Sequence, residues 1–258
     1  MAASPKHQIK QKIRALREKE ELARGAMFRI AKNKMLPERL VLQGGNALHF
    51  MYSSPRHSHD LDFVLSSREV SMTQTIELLC DVLSKEYELK KPGNSTLLTR
   101  NIERIKYWNK GSEIKGVVEI ADQISLNPVN THGEFYPLMV ETAAEIYADK
   151  IIATLGRMED RESLKATDLF DLVYIKDTLK IMPDKDELQA KAETYNLVGW
   201  NKSTVEKVLN YILRAENMEK MEADIRKTMM PDVSSIYEFS RGFFDEAARC
   251  FMKVYSVV

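Results

Sequence analysis

The sequence predicts an α+β protein: a mixed-sheet core followed by an all-helical C-terminal part. Three observations carry that prediction. Between residues 40 and 125 apolar residues come in short runs or alternate with polar ones, the pattern of strands. After Pro128 they recur at helical spacing almost to the C-terminus. Within the strand-like part, LVLQGGNALHFMYSSPRHSHDLDFVL (40–65) sets two glycines and an Asp-Leu-Asp against apolar runs. A strand does not bury two carboxylates for stability.

Taken in order, residues 6–34 carry Ile9, Ile13, Leu16, Leu22, Ala23, Met27 and Ile30 at mostly helical spacing, giving one or two helices that Pro37 ends. LVLQ (40–43) reads as a short buried strand broken by Gly44-Gly45, and NALHFMY (46–52) as a helix with Asn46 as its N-cap. A loop (53–59) leads to the strand DLDFVL (60–65), and 68–85 reads as a helix. YELK, STLLTRN, RIKYWN and GVVEIAD give three or four strands, with turns at Gly93-Asn94 and Asn109-Lys110-Gly111. Helices are expected at 138–157, 163–180, 186–193, 203–228 and 234–255. The chain then divides into a basic N-terminal helical arm (1–35), a core (36–130) and a helical C-terminal domain (131–258).

With 258 residues, 44% of them hydrophobic, the chain can bury a sizeable core. Lys+Arg and Asp+Glu both number 38, so net charge points to no partner. Residues 1–35, however, hold ten Lys or Arg against three Glu, a local excess of +7. Such an arm suits a polyanion, and a solvated amphipathic helix accounts for it equally well. Cys80 and Cys250 sit in apolar helical patterns without a CxxC or a Cys/His cluster, which argues against disulfides and structural zinc. With no signal-peptide pattern and no apolar run of ~18 residues, the expectation is a cytoplasmic protein with no membrane partner.

In a strand, residues two apart share a face. Asp60 and Asp62 therefore project together, opposite Leu61, Phe63 and Leu65. Two such anions repel unless a cation lies between them, and carboxylate oxygens are the ligands Mg²⁺ prefers. A strand end with two solvated acids is the plainer alternative. Gly44-Gly45, at a strand end and a helix start, offers backbone N–H groups and close approach, a cradle for phosphate. In GVVEIAD, Glu119 shares a face with Val117 and Ala121, and an acid in mid-strand fits a metal site. Asp122 is its competitor and reads better as a turn residue. Three acids of this kind could hold two divalent ions on a triphosphate and activate a hydroxyl in line.

Gly44, Gly45, Ala47 and Leu48, then Pro55, Arg56, Ser58, Asp60, Leu61, Asp62 and Phe63, resemble the first motif of the AbiEii/AbiGii toxin nucleotidyltransferases, within the DNA polymerase β-like superfamily. AEIYADKIIATLGRMEDRESLKATDLFDL resembles the second, with Lys150, Arg157, Arg161, Asp168 and Asp171. Asn46 departs from the pattern, which usually has Thr or Ser touching nucleotide phosphate there. The resemblance implies that 36–130 is a nucleotidyltransferase catalytic core of polymerase β-like fold. It implies a toxin that moves an NMP from an NTP to an acceptor hydroxyl, with tRNA at its 3′ end as a plausible acceptor and an antitoxin as partner. Asp60, Asp62 and Glu119 are the expected metal ligands for two Mg²⁺, with Mn²⁺ as a substitute. Gly44, Gly45, Asn46, Arg56, Ser58 and Lys150 are expected as nucleotide ligands, and the resemblance adds Lys150 and Asp168 to the three acids as the catalytic set.

Read physically, Lys150 lies on an apolar stripe with Ile146, Tyr147, Ala153 and Thr154, so it points inward and needs an anion. That anion is either nucleotide phosphate or Asp168. Asp168 is either a site residue or a helix N-cap with Asp171 at N3. Arg56 can neutralise phosphate or be a plain loop residue. His57 and His59 read as solvent-facing, at most outside the ligands of a carboxylate-held ion. Other acceptors, a small molecule or a protein hydroxyl, remain alternatives, as does a nucleotide-binding regulator without catalysis.

Overall fold

The computed structural model describes residues 5–90, 95–97, 100–195 and 201–255. The turn expected at Gly93-Asn94 lies outside them, as do residues 98–99 of STLLTRN. The chain divides into two compact units, residues 1–142 and 143–258.

The first unit begins with one helix, α1 (Pro5–Lys32). Leu16, Leu22, Ala23, Ala26, Met27 and Ile30 are buried along one side of it. The expected basic arm is therefore half core, because an apolar stripe of this length has to be covered. β1 (Leu40–Gln43) runs directly into α2 (Gly44–Tyr52), and β2 (Asp60–Leu65) follows the loop. Next come α3 (Met72–Leu83), started by the Ser71 side chain accepting from Gln74 N, then β3 (Tyr87–Lys90) and β4 (Ser95–Leu97). β5 (Arg100–Asn109), β6 (Gly116–Ile124), β7 (Val129–Asn130) and β8 (Met139–Val140) complete the strands.

Among the described residues these eight strands form one mixed sheet, in the order β3-β5-β6-β2-β1-β8-β7, with β4 also paired to β5. β1 and β2 are antiparallel, β2 and β6 parallel, β5 and β6 antiparallel. The sheet continues past the 130/131 position at which the sequence suggests the helical part begins. β8 pairs in parallel with β1, and a two-residue strand leaves almost no periodic signal.

The second unit is helical: α4 (Ala143–Arg161), α5 (Ala166–Val173), α6 (Lys185–Thr194), α7 (Lys202–Leu213), α8 (Ala215–Lys227), α9 (Pro231–Ile236) and α10 (Arg241–Tyr255). Four expected boundaries differ, the first being 138–157, which turns helical only at Ala143 because Met139–Val140 pair as β8. The run 203–228 breaks where Arg214 turns extended, 163–180 ends in a π-turn at Tyr174–Thr178, and 234–255 is two helices, the first opened by Pro231. Its interior holds charge as well as apolar side chains. Lys191, 1% exposed, donates to Glu145 Oε1 at 2.7 Å and lies 3.3 Å from Asp149 Oδ2, while Tyr195 Oη donates to Asp149 at 2.6 Å. A buried ammonium persists only with partners of this kind. No helix among the described residues is long and apolar enough to cross a membrane.

Candidate active site

The register of the central strands assembles the acids. Asp62 of β2 stands opposite Glu119 of β6, and Asp60 opposite Val117. On the flanks, Gln43 of β1 faces Asp62 and Arg104 of β5 faces Glu119. Gln43, Asp62, Glu119 and Arg104 thus form one row across four strands. Two residues along each strand, Val41, Val64, Ala121 and Ile102 make a buried apolar cluster on that face. The face therefore changes from apolar to charged where β1 reaches Gly44. Asp60, Asp62 and Glu119 are half-buried there, while Leu61 and Phe63 on the opposite face are buried. Arg104 Nε donates to Glu119 Oε1 at 2.5 Å, supplying the row with its own cation. Periodicity could identify Glu119, but not Arg104, because cross-strand register is not written in either strand alone.

The glycines close on the same spot. Gly44 has φ +73°, the left-handed region, and a Cβ there would stand 2.6 Å from Asp62 Oδ2. A Cβ on Gly45 would stand 2.8 Å from Ser58 Oγ and would strike Arg56 Nη2. Bare backbone at both positions is what lets Asp62, Arg56 and Ser58 crowd the first turn of α2. That turn's N–H groups lack intrahelical acceptors, and its dipole end favours anions. Arg56 is buried, 4% exposed, and donates from Nη1 to the His57 carbonyl at 3.1 Å. It is held inward and is no plain loop residue.

Asn46 is not the N-cap. α2 begins two residues earlier, after Gln43, because Gly44 makes the turn. Asn46 lies buried in the first turn, and its Nδ2 donates to the Asp60 carbonyl at 2.7 Å, fixing the helix to the start of β2. His57 is not solvent-facing: it is 7% exposed, and burial, with the neighbouring His49, pushes its imidazole pKa below the ordinary value. His59 is exposed, with Nδ1 3.3 Å from Lys19 Nζ. Asp122 lies within β6, where its carboxylate accepts from Asn101 N and Nδ2, both at 3.1 Å. The Tyr107 phenol is held well above its usual pKa by burial first and then by the charges of Tyr87 and Asp60, so it stays protonated.

The second unit has its own charged cluster. Lys150 Nζ donates to Asp168 Oδ1 at 2.7 Å and lies 2.9 Å from Asp171 Oδ2. Arg157 Nη1 donates to Asp168 Oδ2 at 2.7 Å. Asp168 is the third residue of α5, whose N-cap is Lys165, so it is not a cap. Burial works to raise its pKa, but Lys150 and Arg157 outweigh that and hold the carboxyl well below the usual range. Lys150 and Arg157 converge on Asp168 and Asp171, and the two carboxylates fix the direction of Lys150.

The donor set of the first unit suits a hard divalent ion, with three carboxylates on one half-open face beside a helix start shaped to receive phosphate. The family model of the nucleotidyl transferase AbiEii toxin, type IV toxin–antitoxin system, matches residues 26–243. A Helicobacter pylori protein provisionally described as a nucleotidyltransferase has a similar structure, at 15% identity, TM-score 0.51, covering 92% of this chain and 93% of that one. The JHP933 protein of Helicobacter pylori aligns at 15% identity and TM-score 0.49, over 94% and 92%. No curated protein matches the sequence.

Proposed function

The chain belongs to the AbiEii nucleotidyltransferase toxin family of type IV toxin–antitoxin systems, and from that premise we propose that it moves an NMP from an NTP to an RNA hydroxyl, at the 3′ end of tRNA, releasing pyrophosphate. The observation that carries this reading is the row that puts Asp62 beside Glu119, with Gly44 pressed against the Asp62 carboxylate. Asp60 and Asp62 would hold two Mg²⁺ and Glu119 one of them, Mn²⁺ serving as a substitute. When bound, the ions would offset triphosphate charge and lower the pKa of the attacking hydroxyl. The chain's residues do the rest. The N–H groups of Gly44, Gly45 and Asn46 receive phosphate oxygens, and Arg56 and Ser58 add charge and a hydroxyl donor. Glu119 accepts the proton of the attacking hydroxyl. In the second unit, Lys150 is proposed as a nucleotide phosphate ligand, with Asp168 keeping it charged and aimed. The cognate antitoxin is the partner that family membership implies.

A second reading keeps the chemistry and changes the acceptor to a protein or small-molecule hydroxyl. It is favoured by one observation: part of the basic charge of α1 is paired within the protein, with Arg14 on Glu18, Arg24 on Glu134 and Arg29 on Glu86. Label transfer decides between them. With Mg²⁺, each α-labelled NTP in turn and total tRNA, label should appear on RNA and vanish in Asp62→Ala. Label on the protein or on no RNA would reject the tRNA acceptor.

A further inference from the structure

Glu20 of α1, His49 of α2 and His57 of the loop before β2 converge at a point that the nucleotidyltransferase reading does not use. Glu20 Oε2 lies 3.3 Å from His57 Nδ1, and Glu20 Oε1 lies 3.6 Å from His49 Nε2. The three ligand atoms all fall within 4.8 Å of one another. The two rings are 4.6 Å apart, centroid to centroid.

The hydrogen bonding makes this more than crowding. His49 Nδ1 lies 2.7 Å from the Ser54 carbonyl, a contact that requires Nδ1 to carry the proton. That tautomer places its lone pair at Nε2, which faces a carboxylate oxygen. His57 Nδ1 is buried and has no hydrogen-bond partner, although Glu20 Oε2 is near. Buried nitrogen without a partner is rare and costly. With both rings neutral, their nitrogens and the carboxylate converge on one point that only a proton or a metal cation can satisfy. An imidazole ring fixed by a backbone carbonyl through its other nitrogen is the usual arrangement of a metal-bound histidine.

We propose that Glu20, His49 and His57 form a second metal site, of the zinc class, with water completing the coordination. Zinc ligand atoms at about 2.0–2.1 Å in a tetrahedron stand roughly 3.3–3.5 Å apart; Glu20 reaches His57 through Oε2 at 3.3 Å and His49 through Oε1 at 3.6 Å, so a small rotation of the carboxylate sets one oxygen toward both rings. Two nitrogens and one carboxylate select zinc-like ions, whereas the all-carboxylate set of Asp60, Asp62 and Glu119 selects magnesium. Arg24, whose Nη2 lies 3.6 Å from Glu20 Oε1, is the competing cation, but it also pairs with Glu134 and lies over Phe50. Cysteine-free zinc ligation of this kind leaves no CxxC-type signature in the sequence. The ion ties α1 to the helix and loop that present Arg56 and Ser58, so its role is to hold that loop.

The full-length protein, stripped with chelator and kept in saturating Mg²⁺, is titrated with Zn²⁺ by calorimetry and with Co²⁺ by visible absorption. The expected result is one Zn²⁺ per chain, a tetrahedral Co²⁺ spectrum and a raised melting temperature. Glu20→Gln and His57→Gln should weaken Zn²⁺ binding by at least about 100-fold, and Asp62→Asn should leave it unchanged. Glu20 is half-exposed, so its variant should fold even if the His57 variant does not. Wild-type protein that takes no Zn²⁺ would overturn the site, leaving a protonated His–Glu pair. Equal binding by Glu20→Gln, or loss in Asp62→Asn, would also overturn it by locating the ion elsewhere.

Discussion

Gly45 shows how much a missing methyl group can matter. Its Cα faces Ser58 and the buried guanidinium of Arg56, so Gly45→Ala must expel one or the other. Overpacking of this sort costs about 1–3 kcal/mol, and here it falls on the two side chains proposed to hold the nucleotide. Steady-state kinetics should show kcat/KM for NTP reduced by roughly 10- to 100-fold, with KM carrying most of the loss. A fall in thermal stability with unchanged KM would remove Arg56 and Ser58 from the nucleotide site. At this scale the sequence was legible where alternation rules. Asp60 and Asp62 share a face as i, i+2 spacing requires, and Glu119 shares its own with Val117 and Ala121. It was illegible where a partner arrives from another element. Arg104 reaches Glu119 across a strand pair, and Asn46 serves the Asp60 carbonyl, where capping statistics assign it to its own helix.

The most informative element is α1. Its buried side belongs to the first unit, so deleting it would test folding and not RNA binding. Lys6, Lys10 and Arg17 are exposed and can be reversed without touching that side. Reversal of all three to Glu should leave the melting temperature in place and weaken tRNA binding by about tenfold or more at low salt, with a shallower salt dependence. Unchanged binding, measured by filter retention against salt, would leave α1 with no part in holding RNA. Helices and strands with a full period were readable from the sequence. Those that end for tertiary reasons were not. Arg214 divides α7 from α8 with neither Gly nor Pro to mark the break, and β8 is recognisable only by its pairing to β1.

For the molecule as a whole, acid stability follows from the Lys150–Asp168 cluster. Asp168 has a depressed pKa in the folded state, so its contribution is complete above the unfolded value near 4 and is lost as pH falls below it. Asp168→Asn should therefore lower stability at pH 7 by about 3–5 kcal/mol and flatten the loss of stability below about pH 4. Denaturant melts across pH 2–7 would show both, and parallel acid limbs in the two proteins would contradict the assignment. Long-range pairing also sets a timetable for synthesis. Arg24 meets Glu134 across 110 residues of chain, and its guanidinium lies over Phe50 and Phe135 as well. At roughly 5–20 residues per second, α1 leaves the ribosome several seconds before the residues that hold it in place. A unit built this way cannot close α1 against Glu134 and Phe135 on a nascent chain until most of the unit has emerged, and for that interval the apolar side of the helix stands open to whatever else it meets.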